Sequence, residues 1–449
     1  MKKLPILTLL TLCLLPFATF AYEPLPPELD GTMMPYDFSA CDTVTPWAGT
    51  DMQPIAVSYI ARHGARYLSS EKKVEPLIKA VRKSRMAGTI TSEGEAFASL
   101  LDTVCVLSDG RWGDLSSVGA AEQQRLGDEF CSQVGKLSEQ IVGLAESSCV
   151  PRVVRTMWDF LYPIAARSEN NTIATDEGPE FSPLVRFFET NPQYAAYIKD
   201  GVWKEVYDIF VTEHVSPEPA RRLFGNIGND DHLRKLTLDM YGVLQSFRCI
   251  NLPAPTTQWM SVPEYRACWE ATNLKRYLTR SHSSLSDEAM IAVSPLLRTV
   301  VMRTDASLES AGLHRSSSPD TLSFKAQGTD LQSMNNNAPG LNANFWFGHA
   351  ETLLPLVALM GLPDCVALPL DWNDLATQWK DYEITPMAAN VLIVLLKAPG
   401  SSDVHTAVRL NGRWVVPVGG EGLTPTWESV HGHWLRRIDQ LGSGVADNR

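Results

Sequence analysis

Three short stretches of this chain place residues suited to handling a phosphoryl group. The densest is Arg62-His63-Gly64-Ala65-Arg66, an imidazole bracketed by two guanidiniums. Each guanidinium offers a planar fork of donors that matches phosphate oxygens. A neutral imidazole between them can attack phosphorus as a covalent nucleophile. Gly64 lets the backbone turn sharply and approach closely. The five residues alone fit a surface histidine with flanking charges equally well. In the second stretch, Gly348-His349-Ala350-Glu351, a histidine and a carboxylate stand where a helix would begin. Free N–H groups at such a start attract an anion, His349 can donate to a phosphate oxygen, and Glu351 is a candidate general acid for an alcohol leaving group. A first-turn Glu is also favoured by the helix dipole alone. The third stretch is Pro151-Arg152-Val153-Val154-Arg155-Thr156. Arg152 on its own reads as a surface charge and gains meaning only beside the other two. No third ligand stands at a spacing that would hold a metal.

The elements that must carry these residues are legible in outline. Pro54 to Ala61 is an apolar run that predicts a buried strand ending at Arg62. Ligands gather beyond the carboxyl ends of strands in open α/β sheets, so the position suits a site. Phe345 to Phe347 predicts a strand that delivers His349, followed by a helix from about Glu351 to Met360. Glu75 to Met86 has helical spacing with Pro76 in its first turn. Val118 to Leu144 predicts a second long helix, and Pro295 to Leu308 another. The stretch from about Pro179 to Leu285 predicts several short helices and no strand, which points to a mostly helical insertion. Ser316 to Asn337 is polar and predicts a loop-rich crossing. Ala389 to Leu396 reads as a central strand, and Asn411-Gly412 as the turn of a hairpin over Val408 to Val415. No internal repeat or low-complexity tract is present.

Composition narrows the partners. The chain has 449 residues with 39 Lys and Arg against 51 Asp and Glu, a net charge of −12. That balance argues against general binding to nucleic acid or anionic membrane, so a polyanionic ligand needs a local basic pocket. Met1-Lys2-Lys3, the apolar run from Leu4 to Phe20 and the small residues Thr19 and Ala21 predict an export signal cleaved after Ala21. No other stretch predicts a membrane span. With Cys13 in the leader, the cysteines left are Cys41, Cys105, Cys131, Cys149, Cys249, Cys268 and Cys365, an odd number. Cys249 and Cys268, flanking the Pro-rich loop from Asn251 to Pro263, are the first pair to test for a disulfide.

Taken together, the motifs resemble the histidine phosphatase superfamily, in its acid phosphatase and phytase branch. That family carries Arg-His-Gly-x-Arg-x-Pro; this chain has Arg62 to Arg66 followed by Tyr67-Leu68, with Leu where Pro is usual. The run Gly348-His349-Ala350-Glu351-Thr352-Leu353-Leu354-Pro355-Leu356 is similar to the multiple inositol polyphosphate phosphatase group, which has His-Ala-Glu where most relatives have His-Asp. Leu115 to Gly119 resembles the family's Leu-Thr-x-x-Gly step into a helix. Arg152 with Thr156 and Phe160 resembles its downstream arginine segment, and Leu184 to Phe188, Asn273 to Tyr277 and Val408 to Asn411 also match in character.

The resemblance implies a mixed-sheet, three-layer α/β core like that of phosphoglycerate mutase, with an inserted helical cap. Residues 22–178 and 286–449 would form the core, 179–285 the cap, and 1–21 the signal peptide. It implies phosphate held by Arg62, Arg66, Arg152 and His349, a phosphohistidine on His63, and Glu351 protonating the departing hydroxyl, with no cofactor or metal. The implied substrate is phytate or another inositol polyphosphate, and the implied compartment is periplasmic or extracellular. Phosphates away from the scissile one need further cations, for which Lys72, Lys73, Lys275, Arg276 and Arg280 are candidates. Each of these is by default a solvated surface charge. A broader acid phosphatase, a sugar-phosphate phosphatase and a non-catalytic phosphate-binding protein are the competing readings. The last sits poorly with the presence of both His63 and Glu351.

Overall fold

A computed structural model describes residues 22–310 and 341–441. The export signal predicted at 1–21 and the polar crossing predicted at Ser316 to Asn337 lie outside the described residues.

At the centre is a seven-stranded sheet in the order β3-β2-β4-β1-β5-β6-β7. The strands are β1 (Gln53–Arg62), β2 (Val142–Ser147), β3 (Thr172–Asp176), β4 (Ala343–Gly348), β5 (Asn390–Lys397), β6 (His405–Leu410) and β7 (Arg413–Val415). The first four run parallel, and β5 to β7 are antiparallel additions. Asn411 (φ 46°) and Gly412 (φ 82°) form the tight turn between β6 and β7, as an Asn-Gly pair permits.

Alternation along the strands divides the core. Val57, Tyr59 and Ala61 of β1 face one side with Phe345 and Phe347 of β4, against α3 (Ser117–Val134) and α4 (Pro151–Arg167). Ala56, Ile60 and Trp346 face the other side, against α10 (Glu288–Ser310), α11 (Ala350–Met360) and α12 (Trp427–Leu441). This is a three-layer α/β sandwich on a mixed sheet, as the sequence implied.

Between β3 and α10 the described chain is helical, with α5 (Pro192–Asp200), α6 (Trp203–His214), α7 (Glu218–Phe224), α8 (Asp230–Leu244) and α9 (Val262–Arg280). Two earlier helices, α1 (Glu75–Ala87) and α2 (Ser92–Ser108), dock onto this layer. Ser84 Oγ donates to Phe224 O, and Thr91 N to Leu223 O. The helical layer therefore draws on residues well before 179.

Three local readings change. The helix predicted over Val118 to Leu144 ends at Val134, where Gly135 takes a φ of +54°. Its last residues become β2, because Val142 to Ser147 is flanked by parallel partners on both sides, and a short apolar run takes its form from such neighbours. No disulfide joins Cys249 to Cys268; all seven cysteines of the described chain are free. Cys249 packs with Met33, Ala65 and Met387 and donates to Met33 O, whereas Cys268 lies in the separate, larger core cluster. Leu68, in place of the family's Pro, is buried, and its turn is held by bonds from Gly113 N to Leu68 O and Tyr67 N to Asp114 O.

Candidate active site

Strand register assembles the site. Arg62 of β1 pairs with Gly348 of β4, and Ser147 of β2 with Phe347, so three parallel strands end at one level. The residues that follow, His63, Ser148 and His349, therefore emerge together. His63 N donates to Gly348 O at 3.1 Å, and the two imidazole centroids are 5.6 Å apart, edge to face.

The first turn of α3 grips the Arg62 to Arg66 loop. Ser116 caps that helix and donates to Ala65 O, while both carboxylate oxygens of Glu122 accept backbone amides, from Ala65 at 2.7 Å and Tyr36 at 2.9 Å. Gly64 and Gly119 meet so closely that a Cβ on Gly64 would sit 2.6 Å from Gly119 O. Thr156 of α4 accepts from Gly64 N. The loop is thus held by backbone contacts from two helices, leaving its side chains for other work.

His63 Nδ1 lies 2.9 Å from Gly64 O, and a carbonyl can only accept. The proton therefore sits on Nδ1, and Nε2 carries a free lone pair. Burial, Arg152, Arg62 and Arg66 all push the imidazole well below its usual pKa, so it stays neutral. Arg62 donates to the carbonyls of Thr32 and Thr385, and Arg66 to Tyr67 O. Burial and then Arg66 bring Arg62 down to about 9 and Arg152 down to about 10, the mark of crowded, desolvated cations. The Nε atoms of Arg62, Arg66 and Arg152 are buried without a hydrogen-bond partner among the described residues.

His349 differs in one respect from the expectation of a simple phosphate donor. Its Nδ1 faces Arg152 at 3.4 Å and must accept, so the proton lies on Nε2, 3.1 Å from Ser148 Oγ. Burial and Arg152 hold the ring down to about 3. To donate from Nδ1, it must exchange tautomer once an anion draws Arg152 away.

Glu351 lies in the first turn of α11, 2.8 Å from Arg280 at the end of α9. Burial raises its pKa, but Arg280, His349 and Arg62 outweigh that and bring it down to about 2. The other cations proposed from the sequence are spread unevenly. Lys275 sits 5.3 Å from the ring centres of both Trp203 and Tyr207. Its ammonium is disfavoured by burial and then by Arg280, Lys73 and Arg276, so these four charges share one neighbourhood. Arg276 is paired through one arm with the buried Asp381. Lys72 and Lys73 are exposed on a single turn at Glu71–Lys73, and of the two Lys73 is the one whose charge reaches Lys275.

Sequence reasoning passed over three residues. Glu122 shares the buried stripe of α3 with Leu126 and Phe130, and a carboxylate on such a face was the available signal. Ser148 follows a strand that was itself missed. Arg186 pairs with Glu189, and its charge is felt by both Arg152 and His349; a cation inside Leu184-Val185-Arg186-Phe187-Phe188 stands out from its apolar setting.

No family model matches the chain, and no curated protein matches it in sequence. Solved structures do match in three dimensions. The multiple inositol polyphosphate phosphatase of Bifidobacterium longum, crystallised with inositol hexasulfate, aligns with a TM-score of 0.67 at 15% identity, over 88% of this chain and 95% of that one. The phytase of D. castellii aligns with a TM-score of 0.61 at 15% identity, over 94% of this chain and 88% of that one. With its mixed seven-stranded sheet between two helical layers, the chain has the fold of these two phosphatases.

Proposed function

We propose that this chain is a phosphomonoesterase of the histidine acid phosphatase type that hydrolyses inositol polyphosphates such as phytate. The observation that carries the reading is a neutral His63, oriented through Nδ1, set among Arg62, Arg66 and Arg152, none of which has a carboxylate partner among the described residues. The three guanidiniums bind the scissile phosphate and neutralise its oxygens as charge builds in the transition state. Nε2 of His63 attacks phosphorus while the P–O bond to the inositol breaks, giving phosphohistidine. Glu351 gives a proton to the leaving oxygen. Its carboxylate then takes a proton from the water whose oxygen attacks phosphorus as the P–N bond breaks, which releases inorganic phosphate and returns the electron pair to Nε2 of His63. Ser148 and Arg152 orient His349 beside the reacting imidazole.

A polyphosphorylated substrate is favoured over a simple sugar phosphate by the extra cations around the pocket, Arg280, Lys275 and Arg186. The complex of the Bifidobacterium longum enzyme with a hexasulfated inositol supports the same choice. The helical layer over residues 179–285, with α1 and α2 docked onto it, acts as the cap that carries Arg280 and Lys275. The first 21 residues direct export to the periplasm or the medium; among the described residues no helix is long and apolar enough to cross a membrane.

The test compares phosphate release from phytate and from glucose phosphate, with His63→Ala protein as the control. Preference for phytate, abolished in the variant, is expected. Equal or better turnover of glucose phosphate points to the broader phosphatase reading. Binding of phosphate without turnover points to a binding protein.

A further inference from the structure

The group assigned as general acid is paired with an arginine from a different part of the fold. Glu351 opens α11 on the core, and Arg280 closes α9 in the helical layer. Their 2.8 Å contact is the carboxylate's only ion pair among the described residues. A general acid must hold a proton before the bond breaks, and this partner opposes that. The charged groups felt at Glu351 are Arg280, His349 in the turn before α11, Arg62 at the end of β1 and Arg66 in the loop that follows, and Arg152 of α4, with the Tyr194 phenol of α5 nearby. Every cation in that set favours the ionised carboxylate.

These cations do not all respond to substrate in the same way. A scissile phosphate offsets Arg62, Arg66 and Arg152. Arg280 stands on the helical layer, in the neighbourhood of Lys275, Arg276 and Lys73, a concentration of positive charge suited to a second phosphate of the same substrate. A phosphate dianion competes well with a carboxylate for a guanidinium.

We propose that Arg280 is a substrate-operated switch on Glu351: it holds the carboxylate ionised in the empty site and releases it when a second phosphate of a polyphosphorylated substrate takes the guanidinium. Glu351 then takes a proton from solvent, to which 30% of its side-chain surface remains open. It passes that proton to the inositol oxygen as the P–O bond breaks and the P–N bond to His63 forms. A monophosphate fills the scissile pocket without reaching Arg280, so the acid stays off. Selectivity then arises from activation of the acid as well as from affinity. The inference rests on the reading of Glu351 as general acid, and it agrees with burial being outweighed first by Arg280 in setting the carboxyl's low pKa.

The experiment measures kcat and KM against pH for phytate and for glycerol phosphate, an alkyl monoester that needs a leaving-group proton, with wild type, Arg280→Gln and Arg280→Lys. Arg280→Gln should move the basic limb of the glycerol phosphate profile up by at least about one pH unit, so that turnover at pH 5 rises about tenfold. The same variant should raise KM for phytate, and Arg280→Lys should keep the wild-type profile. Arg280 is one-quarter exposed, so folding should survive, and thermal melts check it. Equal losses on both substrates with no movement of either profile overturn the switch and leave Arg280 as a binding group. Wild-type protein that releases phosphate from neither substrate overturns the phosphatase reading, and the switch with it.

Discussion

Two sets of buried or half-buried arginines occupy this molecule, and their partners differ. Arg303 forms a two-pronged ion pair with Glu146 at 2.7 Å on both arms, Arg276 pairs with Asp381, and Arg248 with Asp30. Each joins distant segments and has its charge cancelled inside the protein. At the ends of β1 and β2, by contrast, Arg62, Arg66 and Arg152 donate to carbonyls or to an imidazole and have no carboxylate partner among the described residues. Burying unpaired cations costs free energy, which a fold tolerates where something else offsets it. In an acidic chain the cancelled set ties segments of the fold together, and on the function proposed above the uncancelled set is where an anion belongs. Glu351 stands at the border, an acid that the free set and Arg280 share.

The largest expected effect is on the imidazole at the centre of the uncancelled set. His63→Ala should lower phosphate release from phytate by at least about a thousandfold, with circular dichroism unchanged. Substantial remaining activity would show that the free arginines serve some other nucleophile. Glu351→Gln should slow phytate by about a hundredfold to ten-thousandfold in single-turnover experiments, and an activated aryl phosphate far less, since nitrophenolate leaves without a proton. Equal losses on the two substrates would remove Glu351 from the acid's role.

The arginine sets can then be opposed directly. Arg303→Ala strands a fully buried Glu146 and should cost about 3–5 kcal/mol in denaturant unfolding. It should leave intact the rise in Tm produced by inositol hexasulfate. Arg152→Ala should do the reverse, with an unchanged or higher Tm for the ligand-free protein and most of the ligand-induced rise lost. If both variants behave alike, the division between structural and ligand-seeking arginines is wrong.

The smallest effect concerns Glu122, a buried acid served by backbone amides. Burial pushes it up to about 7 from an ordinary value of 4.5. The folded protein therefore holds a proton there that the unfolded chain releases above pH 4.5. Its contribution to stability is full below pH 4.5 and declines as pH rises through 7. Glu122→Gln should flatten that part of the Tm-against-pH curve by an amount on the order of 1 kcal/mol. An unaltered slope would mean that Glu122 titrates like an exposed carboxyl.

Particular residues explain how far the site was readable. Arg62, His63, Arg66, His349 and Glu351 lie within two short runs beside apolar strands, so local pattern was enough to find them. Arg152 needed the company of those runs. Ser148 was hidden because β2 is a short apolar segment whose identity as a strand depends on partners some 30 and 200 residues away. Arg276 and Arg280 look alike in sequence, one turn apart on a helix, yet one meets Asp381 and the other Glu351.

By itself, the sequence determined the chemistry on offer: an imidazole, guanidiniums and a carboxylate at strand ends, in an order that resembles one phosphatase branch. Those features are local, and residue type with spacing carries them. Only the tertiary structure decided which nitrogen of His63 is free, which arginines are left without a carboxylate, and which cation restrains Glu351. The His63 tautomer follows from the loop conformation that brings the ring onto the neighbouring Gly64 carbonyl, and the other two from how segments far apart in the chain meet, where strand register and helix docking set the distances and burial sets the strength of every charge.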